Sequence, residues 1–124
     1  MWKWTRWMMN DAETTLLQLR EDIRRFVKAR EWEPFHDPKN LAMSIAIEAA
    51  ELMEHFQWVR SHELEAAARE EETREQIREE LADILCYALS FANALDIDVS
   101  QAVRDKLLKN ERKYPAERYR GRYE

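Results

Sequence analysis

Glycine is almost missing from this sequence: the 124 residues include one, Gly121. A chain this poor in glycine cannot supply the turns of most β architectures. It also lacks the glycine-rich loops that cradle phosphates in Walker A and dinucleotide-binding folds. Proline is scarce too, at positions 34, 38 and 115 only, which leaves two long stretches free of helix breakers. A single cysteine, Cys86, excludes an intrachain disulfide and a multi-cysteine zinc site. It lies in an apolar helical run and is expected to pack in the core. No apolar run is long enough to span a bilayer, and residues 1–10 (MWKWTRWMMN) lack the apolar centre of a secretory signal. The expected location is cytoplasmic, with no membrane partner. Residues 1–10 are read as a flexible N-terminal extension, with Met8 or Met9 as the original start.

A large excess of cations is also missing. The 25 acids outnumber the 20 bases, for a net charge of −5, which disfavours a nucleic-acid polymer as partner, because duplex binding neutralises phosphates with clustered cations. The balance is uneven along the chain: Arg60 to Glu80 is acidic, whereas Arg104 to Glu124 is basic.

What is present is helical periodicity. Leu16, Leu19, Ile23, Phe26 and Val27 recur at helical spacing, predicting a first helix capped by Asp11 or Thr14 and running to about Arg30. Glu31–Pro38 reads as a loop, since each proline pushes its predecessor out of helical geometry. A second helix is predicted from Lys39 to about Arg60, with Asp37 as cap, and a third from about Thr73 to Leu95. A fourth, capped by Asp98 or Ser100, runs to Lys113. Residues 63–72 read as a short helix or mobile connection, and 116–124 as an extended or disordered tail. The expected fold is therefore all-α, a four-helix bundle over residues 11–115. So short a chain cannot cover both faces of each helix, so a homo-oligomer is expected.

At about 100° per residue, Leu41, Ile45, Leu52, Phe56 and Val59 form one apolar stripe on the second helix. Glu48 falls inside that stripe and Glu51 at its edge, three residues apart and so on neighbouring ridges. On the third helix, Glu80 and Asp83 flank the stripe of Ile77, Leu81, Ile84, Leu85, Ala88 and Leu95. If the two helices pack together, four carboxylates converge. Burying an ionised carboxylate costs several kcal/mol, and like charges raise one another's pKa, so the cluster calls for a counter-charge. Hard oxygen donors suit Mg²⁺, or Mn²⁺. A di-iron site fits poorly: it wants Glu-x-x-His on two helices, whereas His55 stands four residues after Glu51 and the third helix has no histidine.

Several separated motifs now stand in order. They are Trp32-Glu-Pro-Phe35-His36-Asp-Pro38-Lys-Asn40-Leu41, Ile47-Glu48-Ala-Ala-Glu51-Leu52, Phe56-Gln57-Trp58, Glu79-Glu80-Leu81-Ala82-Asp83-Ile84-Leu85-Cys86-Tyr87, and Lys106-x-x-x-Asn110-x-x-Lys113-Tyr114-Pro115. Together they resemble the MazG-like all-α nucleoside triphosphate pyrophosphohydrolases, nearest to the dCTP pyrophosphatase-like branch. The likeness covers about Leu16 to Tyr114. It departs from the family pattern at Ala49 and Ala50, where relatives often carry glycine, and over 60–73, which matches no motif of the family.

The resemblance implies a homodimer or homotetramer, Mg²⁺ held by Glu48, Glu51, Glu80 and Asp83, and a nucleoside triphosphate cleaved between its α and β phosphates to the monophosphate and pyrophosphate. Glu51 is the candidate to accept the proton of the attacking water. Lys106, Asn110 and Lys113 share one helix face and are the candidate phosphate ligands. For the base, Trp32, His36, Trp58 and Tyr87 are candidates for stacking and Asn40 for an edge hydrogen bond. The competing readings are a phosphoribosyl-ATP pyrophosphatase-like enzyme and a non-enzymatic helical interaction module.

Overall fold

The computed structural model describes residues 9–122. Among them every regular element is helical, in the order α1 (Leu16–Ala29), α2 (Pro38–Glu54), α3 (Leu64–Arg69), α4 (Glu71–Leu95), α5 (Val99–Lys113) and α6 (Ala116–Tyr119), with 3₁₀ turns at Glu33–Phe35 and Ser61–Glu63. No helix of the described residues is long and apolar enough to cross a membrane. Of the N-terminal extension read over 1–10, residues 1–8 lie outside the described part.

The α1 cap is Thr15 rather than Asp11 or Thr14. The Thr15 hydroxyl accepts from the Gln18 amide at 3.1 Å, and the Gln18 side chain accepts from the Thr15 amide at 2.8 Å. This reciprocal capping box satisfies two orphan donors at once, which neither earlier residue could do. At its other end α1 closes on Glu31, held at φ 52°. The Trp32 amide bonds back to the Val27 carbonyl at 3.1 Å and the Glu31 amide to Lys28 at 3.0 Å, a Schellman closure. Its left-handed position, usually glycine, carries glutamate here, and the turn delivers Trp32 and the 3₁₀ segment onto the face of α4.

Helix α2 begins as expected, with Asp37 accepting from the Asn40 amide at 2.8 Å and Pro38 at the first position. It stops at Glu54, six residues before the expected Arg60. Past that point the bonds tighten: the amide of His55 reaches Leu52, that of Phe56 reaches Met53 and that of Val59 reaches Phe56. Histidine, aromatic and β-branched residues there have weak helix propensity. Helix α5 keeps its expected cap, Asp98 accepting from the Gln101 amide at 2.8 Å. Within the tail read as extended or disordered over 116–124, residues 116–119 instead form one helical turn, α6, in which the Arg118 and Tyr119 amides bond to the Pro115 carbonyl; residues 123–124 lie outside the described part. Tyr119 packs edge-on against Tyr114 at 5.2 Å.

The main packing is α2 along α4, followed by α1 and α3 against α4. Leu41, 1% exposed, anchors the seam, with Leu89, Ala92 and Val27 also buried. A polar clamp fixes α1 to the end of α4. Arg20 Nε donates to Asn93 Oδ1 at 2.9 Å and Arg20 Nη1 to the Ile97 carbonyl at 2.7 Å, while Asn93 Nδ2 donates to the Arg20 carbonyl at 3.1 Å. Helix α5 makes at most peripheral contact with the other helices of its own chain. Val103, Leu107 and Leu108 on it are exposed, as are Leu81, Leu85 and Leu95 on α4. Cys86, expected in the core, is exposed as well, because among the described residues no helix covers that side of α4.

Leu41→Ala should cost about 2–5 kcal/mol by opening a cavity in the seam, whereas Glu31→Gly should stabilise by about 1 kcal/mol by relieving a left-handed residue. Urea unfolding of both variants checks the opposite signs.

Candidate functional site

Because α2 and α4 run antiparallel, their acidic faces meet mid-length. One carboxylate oxygen each from Glu48, Glu80 and Asp83 lies within 4.8 Å of the others. Glu48 and Glu80 are half-buried, and each has a buried oxygen, Oε2, without a hydrogen-bond partner. Burial is the largest cause pushing the Glu48 carboxyl up to about 7, followed by a hydrogen bond with the Glu51 side chain and the charges of Glu51, Asp83 and Glu80. Glu51 itself is exposed at the rim, beside Glu48 but outside the three-carboxylate group. Orphaned buried oxygens on converging carboxylates, with no other donor type among them, fit a hard divalent cation.

From this cluster a file of rings runs outward. The Tyr87 ring is 6.4 Å from His36, His36 is 6.4 Å from Trp32, and Trp32 packs edge-on against Phe26 at 5.8 Å. The Arg30 guanidinium lies 3.7 Å over the Phe26 ring. Burial, and then the charges of Glu48 and Asp83, raise the Tyr87 hydroxyl, so it stays a proton donor. Burial and the Asp83 charge likewise raise the Cys86 thiol, which keeps it from serving as a nucleophile. A cavity of about 430 Å³ opens beside His36, between α1 and α4. Ile23 and Val27 form its apolar wall, Arg24 and Lys28 its cationic one, and the buried Ser90 its floor.

The remaining sequence candidates are placed differently. The Asn40 amide donates to Asp37 at 3.0 Å and to the Phe35 carbonyl at 3.3 Å, so both donors hold the loop under His36. Trp58 is 88% exposed, clear of the ring file. Lys106, Asn110 and Lys113 ride on α5, and no hydrogen bond or ion pair joins them to the carboxylates among the described residues. Sequence reasoning missed Phe26, Arg30 and the cavity residues Arg24, Lys28 and Ser90, all brought in by how α1 crosses α4. It also passed over His55, whose Nε2 lies 3.8 Å from Glu80 Oε1. The spacing of four from Glu51 was the available signal.

Residues 43–122 match the MazG-like family. Over 105 residues the chain is 41% identical to dCTP pyrophosphatase 1 of Bos taurus, covering 82% of this chain and 62% of that protein. It is 39% identical over 100 residues to dCTP pyrophosphatase 1 of Homo sapiens, covering 77% and 59%. The chain thus spans about three fifths of the length of these curated relatives. A crystal structure of a pyrophosphatase from Archaeoglobus fulgidus DSM 4304 superposes with a TM-score of 0.76 at 44% identity, covering 81% of this chain and 92% of that one.

Glu48 is the group whose ionisation the fold resists. Between its unfolded value near 4.5 and its folded value of about 7, the folded chain holds a proton that the unfolded chain has released. Stability therefore falls as pH rises through that window. In EDTA the melting temperature should drop from about pH 5 to about pH 8, with a flatter profile for Glu48→Gln. At the upper pH, Mg²⁺ should raise the wild-type value and leave the variant nearly unmoved. Parallel wild-type and variant profiles in a thermal melt would contradict the cluster.

Proposed function

The chain belongs to the MazG-like family, and from that premise we propose that it is a Mg²⁺-dependent nucleoside triphosphate pyrophosphohydrolase, acting on dCTP or a close analogue. Mn²⁺ is the expected substitute metal. The observation that carries the reading is the meeting of Glu48, Glu80 and Asp83, with orphaned buried oxygens, at the inner end of a file of aromatic rings.

Glu48, Glu80 and Asp83 would hold the cation, with Glu51 at its rim. A divalent ion in such a site lowers the pKa of a bound water and screens charge on the phosphoryl oxygens. The exposed Glu51 carboxylate, beside Glu48, accepts the proton of the attacking water. Trp32, His36 and Tyr87 present ring faces to the base. The Tyr87 hydroxyl, kept protonated, offers a donor at the boundary between base and phosphates.

Among the described residues, no lysine or arginine pairs with Glu48, Glu80 or Asp83. The candidate cations for the leaving pyrophosphate sit on α5, whose apolar residues lie uncovered. A second copy packing on α5 would bury those residues, complete the four-helix bundle and bring Lys106, Asn110 and Lys113 to the neighbouring carboxylates. Exposed Trp58 is then a second element reaching across. A homodimer or homotetramer accounts for how a chain with so few buried residues encloses a nucleotide.

With dCTP and Mg²⁺ the protein should release dCMP and pyrophosphate. Glu48→Gln should lower kcat about 100-fold or more, since several kcal/mol of charge stabilisation are lost. Dissociating and remixing Glu48→Gln with Lys106→Ala/Lys113→Ala should give activity above either parent. No pyrophosphate from any triphosphate in a panel that includes dCTP and dUTP would refute the hydrolase.

A further inference from the structure

One polar residue at the seam has no part in the proposed chemistry. His55 follows the last residue of α2, with helical dihedrals of φ −66° and ψ −19°. It stands four residues past Glu51 and seven past Glu48, so it points down the same face toward α4. There its Nε2 approaches Glu80 Oε1 at 3.8 Å, both side chains being about four fifths buried, at 20% and 21% exposure. That separation exceeds a formed hydrogen bond but lies within ion-pair range.

The two oxygens of Glu80 are thereby differentiated. Oε1 meets the imidazole, while Oε2 is buried and unpartnered, and Glu80 offers one oxygen to the converging set with Glu48 and Asp83. The His55 nitrogens stand outside that set, so the imidazole is not placed as a fourth ligand. A carboxylate facing two others is repelled toward solvent. A neighbouring N–H on Oε1 opposes that swing. Groups that hold a metal-binding carboxylate in this way commonly change metal affinity 10–100-fold when removed.

We propose that His55 is a positioning residue, holding Glu80 through Oε1 so that the carboxylate stays presented to the divalent cation. The assignment rests on the metal site proposed above and concerns a residue outside that site. Calorimetric titration of the full-length protein, in its own assembly, with Mg²⁺ and separately with Mn²⁺ tests it. His55→Leu should weaken both affinities about tenfold, with its melting temperature in EDTA unchanged. His55→Gln, whose amide nitrogen can reach the same oxygen, should recover most of the loss. Electron spin-echo spectra of the Mn²⁺ complex should show no coupling to a directly bound imidazole nitrogen.

His55→Leu binding as tightly as wild type, equal losses in both variants, or a ligated nitrogen would each overturn the role. The two readings fail separately. Wild type that binds neither cation removes the metal site and His55's role with it. Wild type that binds while Glu48→Gln does not, with His55→Leu unaffected, removes His55 alone.

Discussion

The antiparallel seam of α2 on α4 is the constraint from which the rest of the site follows. Apolar packing around Leu41 and Leu89 forces two carboxylate-bearing faces together, and the resulting repulsion is not relieved inside the chain. Glu48 shows the strain most clearly: half-buried, hydrogen-bonded to another acid and raised to about 7. Hydrophobic association thus maintains an electrostatic conflict that a cation would resolve. The energy scale is reasonable, since a few kcal/mol of like-charge burial can be carried by a seam of buried leucines.

A second tension lies in what the seam leaves uncovered. Among the described residues the buried apolar set is small, while Leu81 and Leu85 of α4 and Val103, Leu107 and Leu108 of α5 face outward. Exposed apolar residues gathered on two helices are the kind of surface that interfaces use. The same helix that lacks a packing partner carries the cations that the carboxylate end lacks. Shape and charge both support the proposed pairing with a neighbouring copy.

Much of this was legible in residue order. The Glu48–Glu51 and Glu80–Asp83 spacings, read against their apolar stripes, pointed to four converging carboxylates, of which Glu48, Glu80 and Asp83 meet, because helical periodicity ties sequence separation to a face. Trp32, His36 and Tyr87, singled out as candidates to stack on a base, stand in one file of rings, although the turn that leads into it, closed by a left-handed Glu31, carries no glycine to announce it. The end of α2 was misplaced because no proline or glycine marks it; the helix yields to the weak propensities of His55, Phe56 and Val59. Cys86 looked like core because its neighbours in sequence are apolar, but among the described residues the face it occupies is left exposed.

The sequence by itself determined the helices, their apolar stripes, the acid pairs and the family, since all of these are encoded within a few turns of chain, where spacing dictates direction. Only the tertiary structure decided that Glu51 sits at the rim rather than in the group, that Asn40 secures a loop, that α1 brings Arg24, Lys28 and Ser90 to a cavity beside His36, and that His55 meets Glu80. Those outcomes depend on how one helix is rotated and shifted against another. That choice is made by packing between residues far apart in the chain, and local periodicity carries no record of it.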